Sequence, residues 1–215
     1  MAPTTARRES ADGTTRRRRS DGERSRKAIL REAAQLATVE GIGGLSIARL
    51  ADAVGMSKSG LFAHFGSKQE LQLATIETAS ELFGEHVVEP ASAAKTGLER
   101  LRLLTEGFLR HVENGVFPGG CFFASVASEM DTHPGPVRDF AVEVVGEWLG
   151  RLETTIAEAQ AEGEIDPAED AEQLAFELDS YLLMANAMFV ISPEPAPMAR
   201  ARQALARRID AALAR

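Results

Sequence analysis

Between Ser46 and Lys68 lies a dense set of hydrogen-bonding and cationic residues: Ser46, Arg49, Ser57, Lys58, Ser59, Gly60, Phe62, His64 and Lys68. These types at this spacing suit the holding of a polyanion. Lysine and arginine neutralise phosphates, and lysine also reaches the acceptor edge of guanine. Serine hydroxyls bond phosphates or bases, and Gly60 lets a backbone come close to a bound strand. If Ser46, Ser57 and Ser67 each cap a helix, three sets of free backbone N–H groups also face anions, with Lys68 beside the third. One capping serine is usually only a cap, and one surface lysine is usually only solvated. Their convergence in so short a stretch points to the groove of a nucleic acid.

The elements that must position these residues follow from periodicity. Ile29, Ala33, Leu36 and Ala37 recur on one helical face from Asp21 onward, and the pattern stops at Gly41. Ser46 starts a second helix with Ile47, Leu50, Ala51 and Val54 inward, and Gly55 is placed for the left-handed residue just past its end. Met56 alone separates that glycine from Ser57, so a third short helix begins at once, with Leu61 and Phe65 inward. Two short helices joined so tightly cross steeply, which is the helix-turn-helix arrangement. Lys58, Ser59, Gly60, Phe62, Ala63 and His64 are then left facing outward from the recognition helix. Ser67 and Glu70 form a capping-box pattern that opens a long fourth helix through Leu71, Leu73, Ile76, Leu82 and Phe83.

Beyond a linker around "EPASAAKTG", helices are predicted at about 96–114, 120–131, 135–162, 167–191 and 196–213, separated by "VFPGG", "HPGP" and "EGEIDP". Asp166, Pro167 and Glu169 suit the N-cap, first-turn proline and N3 positions of the fourth of these. No alternating Val, Ile and Thr pattern appears, so the fold class is all-α. Residues 1–20, with "TTRRRRS", lack apolar periodicity and read as a disordered basic arm. The domains are then the arm at 1–20, a helix-turn-helix unit at 21–68, and a helical effector-binding and dimerisation domain at 69–215.

Charge sharpens the division. Residues 1–68 hold 13 Lys and Arg against 7 Asp and Glu, while residues 69–215 hold 11 against 25, within a net charge of −8. A basic front piece on an acidic body meets a polyanion with the first and not the second. With 44% hydrophobic residues the chain has enough for a substantial core. No uninterrupted apolar run approaches the length of a bilayer span and no signal segment is read at the start, so the expectation is a cytoplasmic protein with no membrane partner. The single cysteine, Cys121, excludes an intrachain disulfide and reads as a small buried side chain.

The stretch "SIARLADAVGMSKSGLFAHFGSKQELQLA", residues 46–74, resembles the DNA-binding signature of the TetR (tetracycline-repressor-like) family of bacterial transcriptional regulators. The resemblance covers roughly residues 21–75. It implies a homodimer on double-stranded, palindromic operator DNA, released by a small-molecule effector bound in the C-terminal domain, with dimerisation through the last two long helices. No cofactor, metal or catalytic activity is expected. Phe62 departs from the tyrosine common in the family, which removes a hydroxyl from that position.

In the acidic half, the 167–191 helix is apolar nearly all round: Leu174, Leu178, Tyr181, Leu182, Ala185 and Phe189 share one face, and Phe176, Leu183, Met184, Ala187 and Val190 fill others. Such a helix needs cover on two sides, which a second subunit supplies. The last helix is amphipathic and is expected to complete a four-helix interface with its symmetry mate. A largely apolar effector site is expected from Phe83, His86, Phe108, His111, Phe122, Trp148 and Asn186, with Phe123, Met130, Leu152 and Met184 as further candidates. His86 and His111 lack the supporting ligands a metal needs. Two rival readings are an enzyme built on Glu129, Asp131 and His133 or on Glu143 and Glu147, and a helical adaptor whose basic arm binds RNA or acidic partners. The first lacks a nucleophile or an orienting partner, and the second predicts no sequence-specific site.

Overall fold

The computed structural model describes residues 9–130 and 134–214, with side chains described for 22–129 and 134–214. Among these residues the only extended pairing is an isolated antiparallel bridge between Ile165 and Leu213, and everything else regular is helix. The all-α expectation holds.

The front unit is built from α1 (Glu9–Glu40), α2 (Ile47–Val54), α3 (Lys58–Phe65) and α4 (Lys68–Phe83). Three serines set the starts of the last three: Ser46 accepts from the Arg49 amide, Ser57 from Gly60 and Ser67 from Glu70. Gly55 ends α2 at φ 67°, a left-handed conformation that favours glycine, and so permits the sharp turn into α3. A small core of Ile29, Leu30, Ala33, Leu45, Leu50, Ala51, Leu61, Phe65, Leu71 and Ala74 holds the unit together. Arg26 lies over the Phe65 ring at 5.0 Å and closes its edge.

Residues 9–20 correct the sequence reading. They form the first turns of α1 and not a disordered arm, while residues 1–8 lie outside the described residues. Arginine is a good helix former, and adding turns to an existing helix avoids the nucleation cost that an isolated segment would meet.

The body is a second, larger core shared by α6 (Gly97–Glu113), α7 (Phe122–Met130), α8 (Pro136–Ala161), α9 (Ala171–Ile191) and α10 (Pro195–Ala211). Helix α4 belongs to both cores, since Ala74 packs in the first and Ile76 in the second. It continues past Phe83 as a π-helical segment, Gly84–Val88, and one further turn, α5 (Glu89–Ala91). Part of the expected linker is therefore helical.

Helix α9 starts later than its sequence suggests, with Asp170 as N-cap accepting from the Gln173 amide. Asp166 and Pro167 lie outside it because the chain there pairs with the C-terminus. The Asp166 amide donates to the Ala212 carbonyl at 2.9 Å, and the Ala214 amide donates to the Glu164 carbonyl at 3.1 Å.

Helix α9 is also, by length and a mean hydropathy of 1.4, long and apolar enough to cross a membrane, which the count of uninterrupted apolar residues missed. One face of it, Leu174, Ala175, Leu178, Leu182 and Ala185, is core, while Phe176, Leu183, Met184, Met188, Val190 and Ile191 are exposed. Helix α10 turns Met198, Ala201, Leu205 and Ile209 into its own chain's core. Its Arg202 and Arg208 are tied to Glu106 and Glu113 and to Glu169 and Glu177. Its apolar stripe is therefore covered within the chain, unlike the outer face of α9.

Candidate nucleic-acid interface and effector cavity

The short helix α3 buries only Leu61 and Phe65. At about 100° per residue, the direction opposite that pair is occupied by Ser59 and Ala63, with Lys58 and Phe62 on one flank and His64 on the other. Lys58, Ser59, Phe62 and Ala63 are exposed, Phe62 by 54%. His64 is half-buried, tilted against Phe65, and borders a recess shared with Arg26, Glu70 and Phe140. Gly60 is tight against the cap, since a Cβ there would stand 3.1 Å from the Ser57 hydroxyl.

The remaining members of the set are engaged within the protein. Arg49 donates from Nε to both carboxylate oxygens of Glu40 at 2.9 Å, so its guanidinium fastens the end of α1 to the start of α2. That ion pair holds the Glu40 carboxyl below its usual range, chiefly through the hydrogen bond. Lys68, at the first turn of α4, is exposed and donates from Nζ to the Gly43 carbonyl at 2.5 Å.

That contact belongs to a clasp that the sequence did not reveal. The turn between α1 and α2 presents the Ile42 and Gly43 amides to the Glu129 carboxylate at 2.7 and 2.6 Å. From the opposite side, Gln72 of α4 donates to the Ile42 carbonyl at 2.7 Å in a buried bond. Gly41, at φ 80°, leaves the room, since a Cβ would come within 2.8 Å of Glu129 Oε2. A charge-assisted pair of backbone bonds is stronger than neutral ones, so the clasp fixes where the front unit sits. Glu129 had been weighed as part of an enzyme site; Asp131 and His133, its supposed companions, lie outside the described residues.

The clasp is the far end of α7, and α7 is a wall of the cavity. A space of about 630 Å³ opens between α4, α7, α8 and α9, lined by Phe83, Phe108, Phe123, Trp148, Asp179 and Asn186 among others. Of the seven expected effector residues, Phe83, Phe108, Trp148 and Asn186 line it; His86, His111 and Phe122 do not. His86 is exposed on the π-helical segment. His111 is sealed behind Phe83 and Phe117, with ring centroids 5.5 Å from each. Phe122 points from the start of α7 into the core, fully buried.

Four features of the cavity and its surroundings were not anticipated. Asp179, only 8% exposed, accepts a hydrogen bond from Trp148 Nε1 at 2.9 Å. Burial raises its carboxyl above the usual range, and the indole bond opposes the rise. Asn186 spans from cavity to α7, its Oδ1 accepting from the Cys121 amide at 2.7 Å. Cys121 lines the cavity as a buried thiol that burial pushes up to about 11, so it is no thiolate at neutral pH. Finally, Gly119 donates to Thr38 Oγ1 at 3.1 Å, so both ends of α7 are tied to the region of α1.

This architecture has relatives. Residues 29–75 match the family described as bacterial regulatory proteins, tetR family, and residues 97–205 match the tetracyclin repressor-like C-terminal domain. The transcriptional regulator AcuR of Cereibacter sphaeroides is 26% identical over 160 residues, which make up 72% of this chain and 71% of AcuR. A TetR transcriptional regulator from Chloroflexus aurantiacus J-10-FL superposes with a TM-score of 0.83 at 27% identity, covering 90% of this chain and 98% of its own. AibR, solved with isovaleryl coenzyme A and operator DNA, superposes with a TM-score of 0.67 at 25% identity, over 86% of this chain and 96% of its own.

Proposed function

This chain belongs to the TetR family of bacterial regulatory proteins, and from that premise we infer how it works as a DNA-binding, ligand-responsive repressor. Helix α3 enters the major groove. Lys58, Ser59 and Ala63 meet base edges, and Phe62 packs against sugar or a thymine methyl where a tyrosine would bond phosphate. The starts of α2, α3 and α4, capped by Ser46, Ser57 and Ser67, carry the phosphate contacts together with Lys68. His64, turned toward α4, acts at the margin of the groove, and Arg49 supports the interface by holding α2 on α1.

The protein acts as a homodimer on a palindromic operator, and the outer face of α9 is the surface its partner covers. The boundary between its two working parts falls within α4, where the two cores meet. A DNA-binding regulator of bacterial type works in the cytoplasm, and no catalytic role is assigned: Glu129 is spent on the clasp, while Glu143 and Glu147 are exposed on α8.

The observation that carries the ligand response is the Glu129 clasp, because it joins a cavity wall to the turn that sets the helix-turn-helix. An effector lodged against Phe123, Ala124 and Ser128 displaces α7. The displacement moves the α1–α2 turn, and Ser80 and Phe83 on α4 pass a second push to the same unit. AibR, with operator DNA and an acyl coenzyme A bound in one structure, supports this two-site reading.

Footprinting of the purified protein on DNA flanking its own gene tests the reading. Two protected half-sites related by a dyad, with centres one helical turn or about 34–36 Å apart, are expected. Uniform weak protection at every sequence would leave the adaptor reading in its place.

A further inference from the structure

Four aromatic side chains, Phe83, Phe108, Phe123 and Trp148, line the cavity. Phe83 meets Trp148 edge to face with centroids 5.1 Å apart, and Phe108 stacks on the same indole at 6.1 Å. Phe123 closes on Phe83 at right angles. Beside the indole stands the Asp179 carboxylate, which receives one hydrogen bond, from Trp148, and pairs with no cation among the described residues. A buried carboxylate with a single neutral donor is a costly arrangement unless something else supplies positive charge. The other charged groups on the lining, Glu147 and Arg151, are opposite in sign, one turn apart on α8 and both exposed, so Asp179 is the buried carboxyl of the lining. The hydrogen bond from Nε1 to a carboxylate also pushes electron density into the indole, which strengthens the attraction of its face for a cation.

We propose that the effector is an organic cation, a quaternary or protonated amine seated against the Asp179 carboxylate and beside the Trp148 indole, on an apolar body that meets Phe83, Phe108 and Phe123. The proposal rests on the cavity being the effector site. At about 630 Å³ the cavity has room for a drug-sized molecule, and Phe83, Phe108, Phe123 and Trp148 are on its lining. Burial holds the empty carboxyl above its usual range, and a bound cation reverses that direction.

Three probes of nearly one shape and different charge test this on the full-length protein by titration calorimetry: benzyltrimethylammonium, its neutral isostere neopentylbenzene, and 3-phenylpropanoate. The cation is expected to bind at least about tenfold tighter than the neutral isostere, and the anion weakest of the three. Asp179→Asn keeps an acceptor for the indole N–H and should remove most of that advantage while leaving the neutral probe's affinity within about twofold. A structural role for Asp179 alone would lower stability in this variant without changing the order of the probes. Should Asp179→Asn not fold, the order of the probes on the unaltered protein still decides. Binding of the neutral or anionic probe as tightly as the cation overturns the inference. If that binding is also blocked by Ala127→Phe, which fills the cavity, the effector site stands while its charge preference falls. If none of the three binds, the inference falls, and the placing of the site is decided separately by whether Ala127→Phe blocks a ligand found by thermal-shift screening.

Discussion

His111 keeps both ring nitrogens buried without a hydrogen-bond partner among the described residues, packed between Phe83 and Phe117 and 5.9 Å from the His86 ring. Burial first, and the charge on His86 second, lower it from 6.5 to about 4. A group whose folded value is depressed binds more protons when unfolded, so its contribution is present above pH 6.5 and lost as pH falls through the window toward 4. Denaturant unfolding at pH 7 and pH 4 should show a loss of about 3 kcal/mol from this residue, and His111→Leu should flatten that part of the profile.

Lys68 gives a second test at this scale. Lys68→Ala should weaken specific and random DNA by similar factors and reduce the salt slope by about one. Lys58→Ala or Ser59→Ala should instead change the preferred sequence. A Lys68 variant with an altered preference and an unchanged slope would contradict its placing on a phosphate. The caps, the turn and the outward face of α3 were legible in advance because they are contiguous, all within 23 positions from Ser46 to Lys68. Arg49 and His64 show the limit. Their types fitted DNA, yet whether a side chain faces solvent or Glu40 depends on a neighbouring helix that spacing alone does not place.

At the level of elements, α7 is the part whose role sequence could not supply. It is nine residues long, and its importance lies in bonds to residues more than 60 positions away, Glu129 to Ile42 and Gly43 and Cys121 to Asn186. No local periodicity encodes such pairings, whereas the caps of α2, α3 and α4 are written in three or four consecutive residues. The same distinction explains α9, whose start was misplaced because a backbone pairing with the C-terminus keeps residues near Asp166 out of the helix.

Two substitutions probe α7. Glu129→Ala leaves two amides of the α1–α2 turn without their carboxylate, and should lower operator affinity while weakening the response to an effector more than it lowers the melting temperature. Gly119→Ala would set a methyl 2.0 Å from the Thr38 carbonyl and should destabilise the protein by about 1–3 kcal/mol, read from chemical denaturation. Normal stability in Gly119→Ala would show that the approach of α7 to α1 is looser than it stands here.

Over the whole molecule, a basic front unit and an acidic body are joined by α4, by the α7 clasp, by the Gly119–Thr38 bond and by Ala34 and Ala37 of α1 in the larger core, and the exposed side of α9 is the surface proposed for the two-fold partner. Ile191 is 78% exposed and Phe176 and Met184 63%, along one side of a helix whose other side is core. Replacing Phe176 and Met184 together by lysine should yield a monomer in sedimentation, with little loss of folding but a large loss of operator affinity, because one half-site alone holds too few contacts. The charge distribution changes sign near where the two cores meet, whereas the cavity was not legible, since its lining comes from five separated segments and only four of seven expected residues reach it.

With the effector in the cavity and the operator on α3, each must weaken the other's binding by the same factor if the clasp carries a signal. The most direct measurement is the affinity of a cavity ligand, benzyltrimethylammonium or a stronger hit from thermal-shift screening, for the free protein and for the protein saturated with operator. The mechanism predicts weaker binding on the operator complex, by about 5- to 150-fold, with the same factor recovered when operator affinity is measured at saturating ligand. Equal affinities in the two states would contradict it.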